Sequence, residues 1–529
     1  MEKKRWKSLK SMLNNTIKIK KIFLILYDMI RRGFNAEKYL QVQSREILKR
    51  AEGFKKFYLE FGGKICDDFH AARVLPGYEP NTKIKMLQMI KDNSEIVFCI
   101  SAKDIENGKM RGDFDLTYET MTLKSINDLR SFGLDVSAVI INRFSGEKKA
   151  LQFKKYLENI GIKPYLQKEI EGYPANVEKI VSKKGYGQNP YVEFDKSIVV
   201  VSGVAPGSGK MSFCLSQLYH DYKRGINSGF AKFETFPVWD LPIDHPVNLA
   251  YEAATANIGD VNMLDPFHLR EYGISAVNYN RDIENFPILR NILKKIGKDI
   301  YKSPTDMGVG KTKKGIIEDS IIKGAAKQEI IRRYFRYKKE KLLGIVEKSV
   351  VDKIEKLMLK LGLNENHRKV VLAARKCAED CYKEGKGNNN FFCGTAIQLG
   401  DGRIITGKNS HLLHSESAAI INALKSLALI PDDIFLLPEN LIQNIRKMKK
   451  SIGGSDNPSL DVDEILIALS ISAESNPSAK KCIEKISLLK NCEMHTTHLP
   501  SRGDEEGIRN LGINLTTDSA LTPKIYLKK

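Results

Sequence analysis

The 529-residue sequence contains no apolar run near the ~18 residues that a membrane-spanning helix needs, so we expect no membrane span. Its eight cysteines are scattered, at a density far below that of a disulfide-stabilised scaffold. That pattern indicates reduced thiols and a cytoplasmic protein. The sequence also lacks the basic stripe with interleaved aromatic residues that single-strand nucleic-acid binders use.

Several catalytic signatures are missing as well. The chain has no His-Glu-x-x-His and no Gly-x-Ser-x-Gly sequence, which argues against the common zinc peptidases and serine hydrolases. It also has no Pro-Cys-x-x-Cys sequence, the element that supplies two zinc ligands in the nucleobase deaminases. These absences leave few familiar reactions open.

Positive charge is abundant, with 85 Lys and Arg against 64 Asp and Glu and a net charge of +21. The lysines are spread along the chain among acidic residues, which favours a lysine-rich composition over a polyanionic partner. Nucleic-acid binding through the basic helix at 332–341 is therefore only the third functional alternative. Salt-dependent retardation of DNA or RNA would support it.

The order of apolar strands and helices predicts an α/β protein. Strands of four to eight residues alternate with helices of 10–15 residues, which indicates a Rossmann-like or P-loop-like parallel sheet with helices on both faces. The expected strands are 57–61, 95–100, 136–142, 164–166, 197–203 and 230–234.

Changes in amino-acid composition and hydrophobic periodicity along the chain predict its domains. Residues 1–33 are expected to be a disordered extension or a mis-assigned start, and residues 34–335 an α/β region that binds a phosphate ligand. Residues 336–365 are expected to form a helical connector. Residues 366–529 are expected to form a smaller C-terminal α/β domain that contains a β-hairpin around 401–402.

A glycine-rich loop after the strand at 197–203 is the strongest functional signal. A buried strand, a Gly-rich turn, a lysine and a helix N-terminus together cradle a phosphate. Met211 stands where the usual pattern has a hydroxyl residue that holds Mg²⁺, so the loop is atypical and a role for Mg²⁺ is in doubt. We expect ATP or another nucleotide to be bound by Gly203, Gly207, Ser208, Gly209 and Lys210.

Residues 235–310 are dense in Asn, Asp, Pro, His and Tyr and have little periodicity, so we expect loops that line a ligand cleft. Glu234, Asp265 and His268 are the candidate catalytic residues, as acids or bases beside the phosphate. Arg281 and Lys302 are expected to neutralise negative charge on the ligand. The alternative for both carboxylates is a capping or ion-pair role.

The C-terminal part contains His414-Ser415-Glu416 before a helix and Cys492-Glu493-Met494-His495 later in the chain. A His-x-Glu at a helix start resembles the zinc deaminases. Because the cysteine pair is absent and about 75 residues separate the two halves, we expect no metal site. A deaminase-like topology without metal remains the interpretation of this part.

Several long sequences are similar to those of a bacterial family of about 500 residues, classed as a domain of unknown function. The resemblance runs from about residue 33 to residue 517 and implies no particular activity. Met211 matches that family's pattern, whereas the His-Ser-Glu at 414–416 does not. The sequences include FYLEFGGK (57–64), PGSGKM (206–211), KFETFPVWDLP (232–242) and DPFHLREYG (265–273).

The first functional hypothesis is a protein that binds a nucleotide or phosphorylated metabolite and catalyses phosphoryl or nucleotidyl transfer. A non-catalytic phosphate-ligand sensor or assembly module is the second, and the missing hydroxyl at 211 favours it. Whether the chain is an enzyme is open from the sequence, and a homo-oligomer is an additional expectation.

Overall fold

The computed structural model describes residues 32–111, 116–388, 390–453 and 459–519. Nearly all of the expected extension at 1–33 lies outside these residues. The chain divides into two compact units between Glu329 and Ile330. Each unit is described by itself below.

Six parallel strands form the sheet of the N-terminal unit. Their spatial order is β4-β3-β2-β5-β1-β6. All six lie at positions where the sequence predicts strands, and the parallel α/β class is confirmed. The strands are β1 (Lys56–Phe61), β2 (Ser94–Ser101), β3 (Val136–Phe144), β4 (Lys163–Lys168), β5 (Ile198–Gly203) and β6 (Ser228–Phe233).

Helices cover both faces of this sheet. Alternate residues of a strand enter different hydrophobic clusters: Phe57 and Leu59 pack in one, whereas Tyr58 packs in the other. A strand buried on both faces explains the continuous apolar runs in the sequence. The helices that precede or cover the six strands are Ala36–Ala51, Phe69–Val74, Thr82–Met89, Ala102–Glu106, Tyr118–Ser131, Lys148–Asn159, Val177–Ile180 and Lys210–Lys223.

Residues 235–310 are more regular than the sequence predicts. They contain the helices Pro246–Ala254, Pro266–Tyr272 and Asn280–Lys295, and a short antiparallel pair, β7 (Asn262–Leu264) and β8 (Val277–Tyr279). N-terminal capping residues determine where two of these helices begin. Hydrophobic periodicity does not reveal such residues. His245 and Asp265 each accept hydrogen bonds from the first-turn amides of a helix that begins with proline.

The C-terminal unit contains a smaller mixed sheet of order β10-β9-β11-β12, made of β9 (Gly394–Gln398), β10 (Ile404–Lys408), β11 (Glu493–Thr496) and β12 (Asn514–Thr517). Strand β9 is antiparallel to β10 and β11, whereas β11 and β12 are parallel. The expected hairpin and the smaller α/β domain are confirmed. Its helices are Lys348–Lys360, Lys369–Lys383, Ser415–Ala428, Glu439–Gly453, Val462–Ser472, Pro477–Ile483 and Arg502–Asn510, and the helix Asp319–Leu342 precedes them.

Two sequence expectations can be compared with the described residues. No helix among them is both long enough and apolar enough to cross a bilayer. All eight cysteines are free thiols, and seven of them are buried.

Candidate functional site

A cavity of about 700 Å³ lies at the carboxyl ends of the large parallel sheet. It lies where the connections from two neighbouring strands, β2 and β5, leave in opposite directions, which is the usual ligand position in open α/β sheets. Side chains from four different strand ends reach it: Glu60, Asn142, Gln167 and Glu234. The loop after β5 forms another part of the wall.

The geometry of that loop depends on its glycines. Gly207 and Gly209 have φ values of 77° and 87°, a region that L side chains rarely adopt. A Cβ atom at Gly209 would lie 2.6 Å from Cγ of Asn142, and the Asn142 side chain donates to the backbone oxygen of Ser208 at 2.8 Å. Gly203 is similarly confined, because a Cβ there would lie 2.4 Å from Oγ of Ser208.

The helix Lys210–Lys223 begins directly after the loop, and no side chain caps its N-terminus. The first amides of a helix have no partner within the helix and carry a partial positive charge, so an uncapped N-terminus suits an anion. Lys210, Met211 and Ser212 from this first turn line the cavity. Met211 therefore lies at the site, where the usual hydroxyl would be.

Several buried polar atoms around the cavity have no hydrogen-bond partner within the part of the chain that the structure describes. They are Oε2 of Glu60, Oδ1 of Asn142, both amide atoms of Gln167 and, behind the loop, Oγ of Ser208. Asn142 and Gln167 are each 2% exposed. Because buried polar groups are normally paired, such a group of atoms at one cavity is the arrangement expected where a polar ligand binds.

Sequence analysis missed Glu60, the acid closest in topology to the phosphate loop. It follows Leu59 near the end of β1, the strand directly beside β5, and is paired in register with Val201. The signal was present in the sequence, because Glu60 interrupts an otherwise apolar strand just before Gly62-Gly63, and charged residues are seldom buried without a partner. Glu60 and Glu234 are the carboxylates that β1 and the segment after β6 contribute to the cavity.

A charged network lines part of the same cavity. Lys232 forms an ion pair with Asp282, and its Nζ atom lies 3.0 Å from the hydroxyl of Tyr279 and 3.8 Å from Oε1 of Glu234. Tyr279 donates to Oε1 of Glu234 at 2.8 Å. Burial alone would lower the pKa of Lys232, but the carboxylates of Asp282, Glu234 and Glu60 raise it, so the ammonium stays charged.

Among these residues, Glu234 is the one whose pKa suits proton transfer. Burial raises the pKa of its carboxyl to about 7, with Lys232 opposing the shift and Asp282 adding to it. A carboxyl that titrates near neutral pH can take or give a proton under working conditions. The network therefore offers an acid–base group in the cavity that the phosphate loop also lines.

Glu234→Gln is expected to stabilise the protein by about 1–3 kcal/mol above pH 7, at ~1.4 kcal/mol per pKa unit and with allowance for a side chain that is 26% exposed. The folded-state pKa is about 7 against a usual 4.5, so the folded protein keeps a proton that the unfolded chain releases. The parent should therefore lose stability as the pH rises from 4.5 to 7, and the variant should not. Urea unfolding across that range measures this difference, and equal pH slopes would contradict it.

The structure brings together many but not all of the predicted site residues. Gly203, Gly207, Gly209, Lys210, Glu234 and Arg281 line the one cavity. Arg281 pairs with Asp260 at 3.0 Å, and its guanidinium lies 5.3 Å from the ring centre of Tyr279.

Asp265, His268 and Lys302 do not line the cavity. Asp265 is fully buried, caps the helix Pro266–Tyr272 and accepts from the amide and hydroxyl of Thr305. His268 Nδ1 lies 2.9 Å from Oγ of Ser303, and the amide of Lys302 donates to Asp306. This arrangement is the capping role that the sequence left open for Asp265. The catalytic role of Asp265 and His268 and the charge-neutralising role of Lys302 stay untested predictions.

No group of three or more His, Cys, Asp or Glu side chains with metal-binding geometry occurs among the described residues. Mg²⁺ bound with a nucleotide needs only one or two protein carboxylates, because phosphates and water supply the other ligands. Glu60 and Glu234 are suitable oxygen donors for such an ion.

Comparisons with known proteins place nearly the whole chain in one family. The N-terminal model of the domain of unknown function DUF1846 matches residues 32–362, and the C-terminal model matches residues 366–526. A curated UPF0371 protein from Clostridium botulinum (strain Eklund 17B / Type B) is 48% identical over 488 residues, covering 92% of this chain and 97% of the relative. UPF0371 proteins from Clostridium tetani and Clostridioides difficile have the same identity and coverage. The chain belongs to the DUF1846 family of uncharacterised bacterial proteins.

Proposed function

We propose that the N-terminal unit binds a nucleotide or another phosphorylated small molecule, with the phosphate on the loop at 203–210. The proposal rests on three features that occur at the same cavity. They are the glycine loop, an uncapped helix N-terminus and several buried polar atoms without a hydrogen-bond partner. A volume of about 700 Å³ lies within the range of small-molecule sites.

The loop would hold phosphate through backbone amides and one side chain. The amides of Gly207 to Lys210 precede or begin the helix and can donate to phosphate oxygens. The ammonium of Lys210 would add a charge-assisted hydrogen bond. Apolar side chains on the wall, Leu215, Ile258, Ile288, Leu289 and Ile292, would contact the non-phosphate part of the ligand.

Phosphoryl or nucleotidyl transfer is the reaction that this cavity supports best. The acceptor hydroxyl would give its proton to Glu234, its oxygen would bond to phosphorus, and the bond from phosphorus to the leaving oxygen would break. Glu234 is suited to this role because its pKa is about 7. Lys232 and Arg281 would stabilise the negative charge on the transferred group.

A non-catalytic sensor is the second candidate, and Met211 favours it because a methionine cannot replace the hydroxyl that holds Mg²⁺. The two candidates differ in one measurement. A transferase should turn over a nucleotide in the presence of Mg²⁺ and lose that activity on Glu234→Gln while it still binds. A sensor should bind the same probe without turnover.

Lys210→Ala is expected to weaken binding of the phosphorylated probe about 10-fold to 100-fold, the loss of one charge-assisted hydrogen bond. The probe is the best ligand from a thermal-shift screen of ATP, GTP and sugar phosphates with and without Mg²⁺, and calorimetry measures its affinity. Lys223→Ala is the matched control, because Lys223 lies in the last turn of the same helix and outside the cavity lining. Equal affinities for the parent and Lys210→Ala would overturn the proposal.

A further inference from the structure

The C-terminal unit places the sequence His414-Ser415-Glu416 beside a second helix start that the sequence analysis did not consider. His414 precedes the helix Ser415–Ala428, which follows the β9–β10 hairpin. The second start is Ser501, the N-cap of the helix Arg502–Asn510, which follows β11. Nucleobase deaminases hold zinc between a His-x-Glu and a Pro-Cys-x-x-Cys sequence.

The second helix start has the spacing of the missing cysteine element. Pro500-Ser501-Arg502-Gly503-Asp504 aligns with Pro-Cys-x-x-Cys, with serine and aspartate at the two cysteine positions. The structure brings these substitutes to His414. Oδ2 of Asp504 lies 2.7 Å from Nδ1 of His414 and accepts from Oγ of Ser501, also at 2.7 Å.

The residues that the sequence suggested as zinc ligands lie elsewhere in the same unit. His495 Nδ1 lies 2.9 Å from Oγ1 of Thr516, and the Cys492 thiol donates to the backbone oxygen of Leu488. The partner of His414 is therefore Asp504, whose carboxylate could not be recognised as a cysteine replacement without the fold.

We propose that this is a deaminase-type zinc site in which a direct ion pair between His414 and Asp504 has replaced the metal. The side chains present do not fit zinc, since no group of three or more His, Cys, Asp or Glu side chains among the described residues has metal-binding geometry, and His414 and Asp504 are already paired with each other. The exchange preserves the net charge of the site. A Zn²⁺ ion with two thiolates and a neutral histidine has a net charge of zero. A histidinium with a carboxylate and a serine also has a net charge of zero.

Burial and further hydrogen bonds hold the pair in place. The side chains of His414 and Asp504 are 6% and 0% exposed. Burial would lower the pKa of His414, but the carboxylate of Asp504 raises it above its usual value, in agreement with an ion pair. The other carboxylate oxygen of Asp504 accepts from the amide of Val462 at 3.0 Å. The pair therefore links two helix starts, as a structural metal would.

Glu416 aligns with the glutamate that acts as general acid and base in the deaminases. In this unit its carboxylate is surrounded by side chains of the protein itself. It is fully buried and accepts hydrogen bonds from Ser415 at 3.0 Å and Thr496 at 2.8 Å. His498 Nε2 lies 3.3 Å from the same carboxylate. The glutamate is thus held by internal partners, and the side chains around it do not form the ligand set that would hold a water-activating metal.

Restoring the two cysteines should restore the metal. In full-length protein, Ser501→Cys/Asp504→Cys is expected to retain about one Zn²⁺ per chain after dialysis against a mild chelator, and the parent none, since two thiolates and an imidazole suit zinc. Atomic emission measures zinc, and the absorbance of the Co²⁺ form reports thiolate coordination.

Two controls separate a rebuilt site from a new thiol pair. Adding His414→Ala to the double variant should abolish retention, because the third ligand is lost. Ser472→Cys/Ser475→Cys creates the same Cys-x-x-Cys spacing at the end of another helix, Val462–Ser472, and should retain no zinc. Circular dichroism checks the fold of each variant.

Three results would overturn the proposal: a folded double variant without zinc, zinc that persists after His414→Ala, or equal retention by the control pair. A double variant that fails to fold even with Zn²⁺ also counts against it, because a metal that fits a preformed site stabilises the folded state by mass action. None of these outcomes depends on the function proposed for the N-terminal unit.

Discussion

Gly209→Ala is expected to destabilise the protein by about 2–5 kcal/mol and to weaken binding of a phosphorylated ligand about 100-fold. Two costs add at this position. An alanine at φ 87° is strained, and its Cβ would meet the Asn142 side chain at 2.6–2.7 Å. Asn142 cannot move away freely, because it is buried and donates to the backbone of the loop at Ser208.

Gly225→Ala is the matched control for this variant. Gly225 follows the C-terminal end of the same helix, has a φ of 66° and has open space around its Cβ position. It should lose only about 1–2 kcal/mol from backbone strain and leave ligand affinity unchanged. Urea unfolding and calorimetry measure both variants. Equal losses of affinity at the two positions would show that the loop geometry is not what holds the ligand.

The fold class could be predicted because local and tertiary preferences agree in the large sheet. Strands such as 197–203 are buried on both faces, so their apolar runs are visible without the structure. The strand order could not be predicted in this way. Strand β5 inserts between β2 and β1, and that pairing depends on long-range contacts that no local pattern encodes.

The phosphate loop is the part of the candidate site that the sequence indicates most directly, because there the backbone itself would be the ligand-binding group. Glycines, a lysine and a strand-to-helix turn identify the phosphate loop from sequence. Side-chain roles are harder to predict, because Asp265 and Glu234 are both acids in polar surroundings. Asp265 caps a helix, whereas Glu234 lines the cavity. The difference depends on where each chain segment packs.

The role of Asp504 likewise depends on where its helix packs. A carboxylate at the third position of a helix is usually a capping residue, and Asp504 does cap with Ser501. Its contact with His414 joins residues 90 positions apart, and it becomes visible only when the two helices are placed in space. Sequence patterns therefore indicated the element types of both units, and the fold revealed which distant residues share a site.

Arg368→Ala is expected to destabilise the C-terminal unit by about 3–5 kcal/mol, the typical cost of breaking a buried ion pair by removing one partner. Arg368 is 1% exposed and forms an ion pair with Glu493. It also donates to Oγ1 of Thr516 and to the backbone oxygens of Met494 and Asn514, so it joins β11 and β12. Alanine would remove all of these donated hydrogen bonds at once, although Arg332 would still pair with Glu493 and the hydroxyl of Thr516 would still donate to Met494.

The pH dependence of stability gives this prediction a second readout. Burial would raise the pKa of Glu493, but Arg332 and Arg368 lower it to about 2 from a usual 4.5. A depressed carboxyl pKa stabilises the fold above pH 4.5, and that stability is lost as the pH falls toward 2. The decline should be shallower in Arg368→Ala, because one of the two guanidinium groups that lower the pKa is gone.

The measurement must follow the C-terminal unit alone. The residues from 330 onward contain no tryptophan, since the two in the chain are Trp6 and Trp239, so the C-terminal unit has no tryptophan fluorescence of its own. Amide hydrogen exchange of β11 and β12 reports the local free energy of opening in parent and variant. Arg403→Ala removes an exposed pair with Asp401 and should cost at most about 1 kcal/mol. If Arg368→Ala costs no more than this control, the buried arginine is not what holds the two strands together.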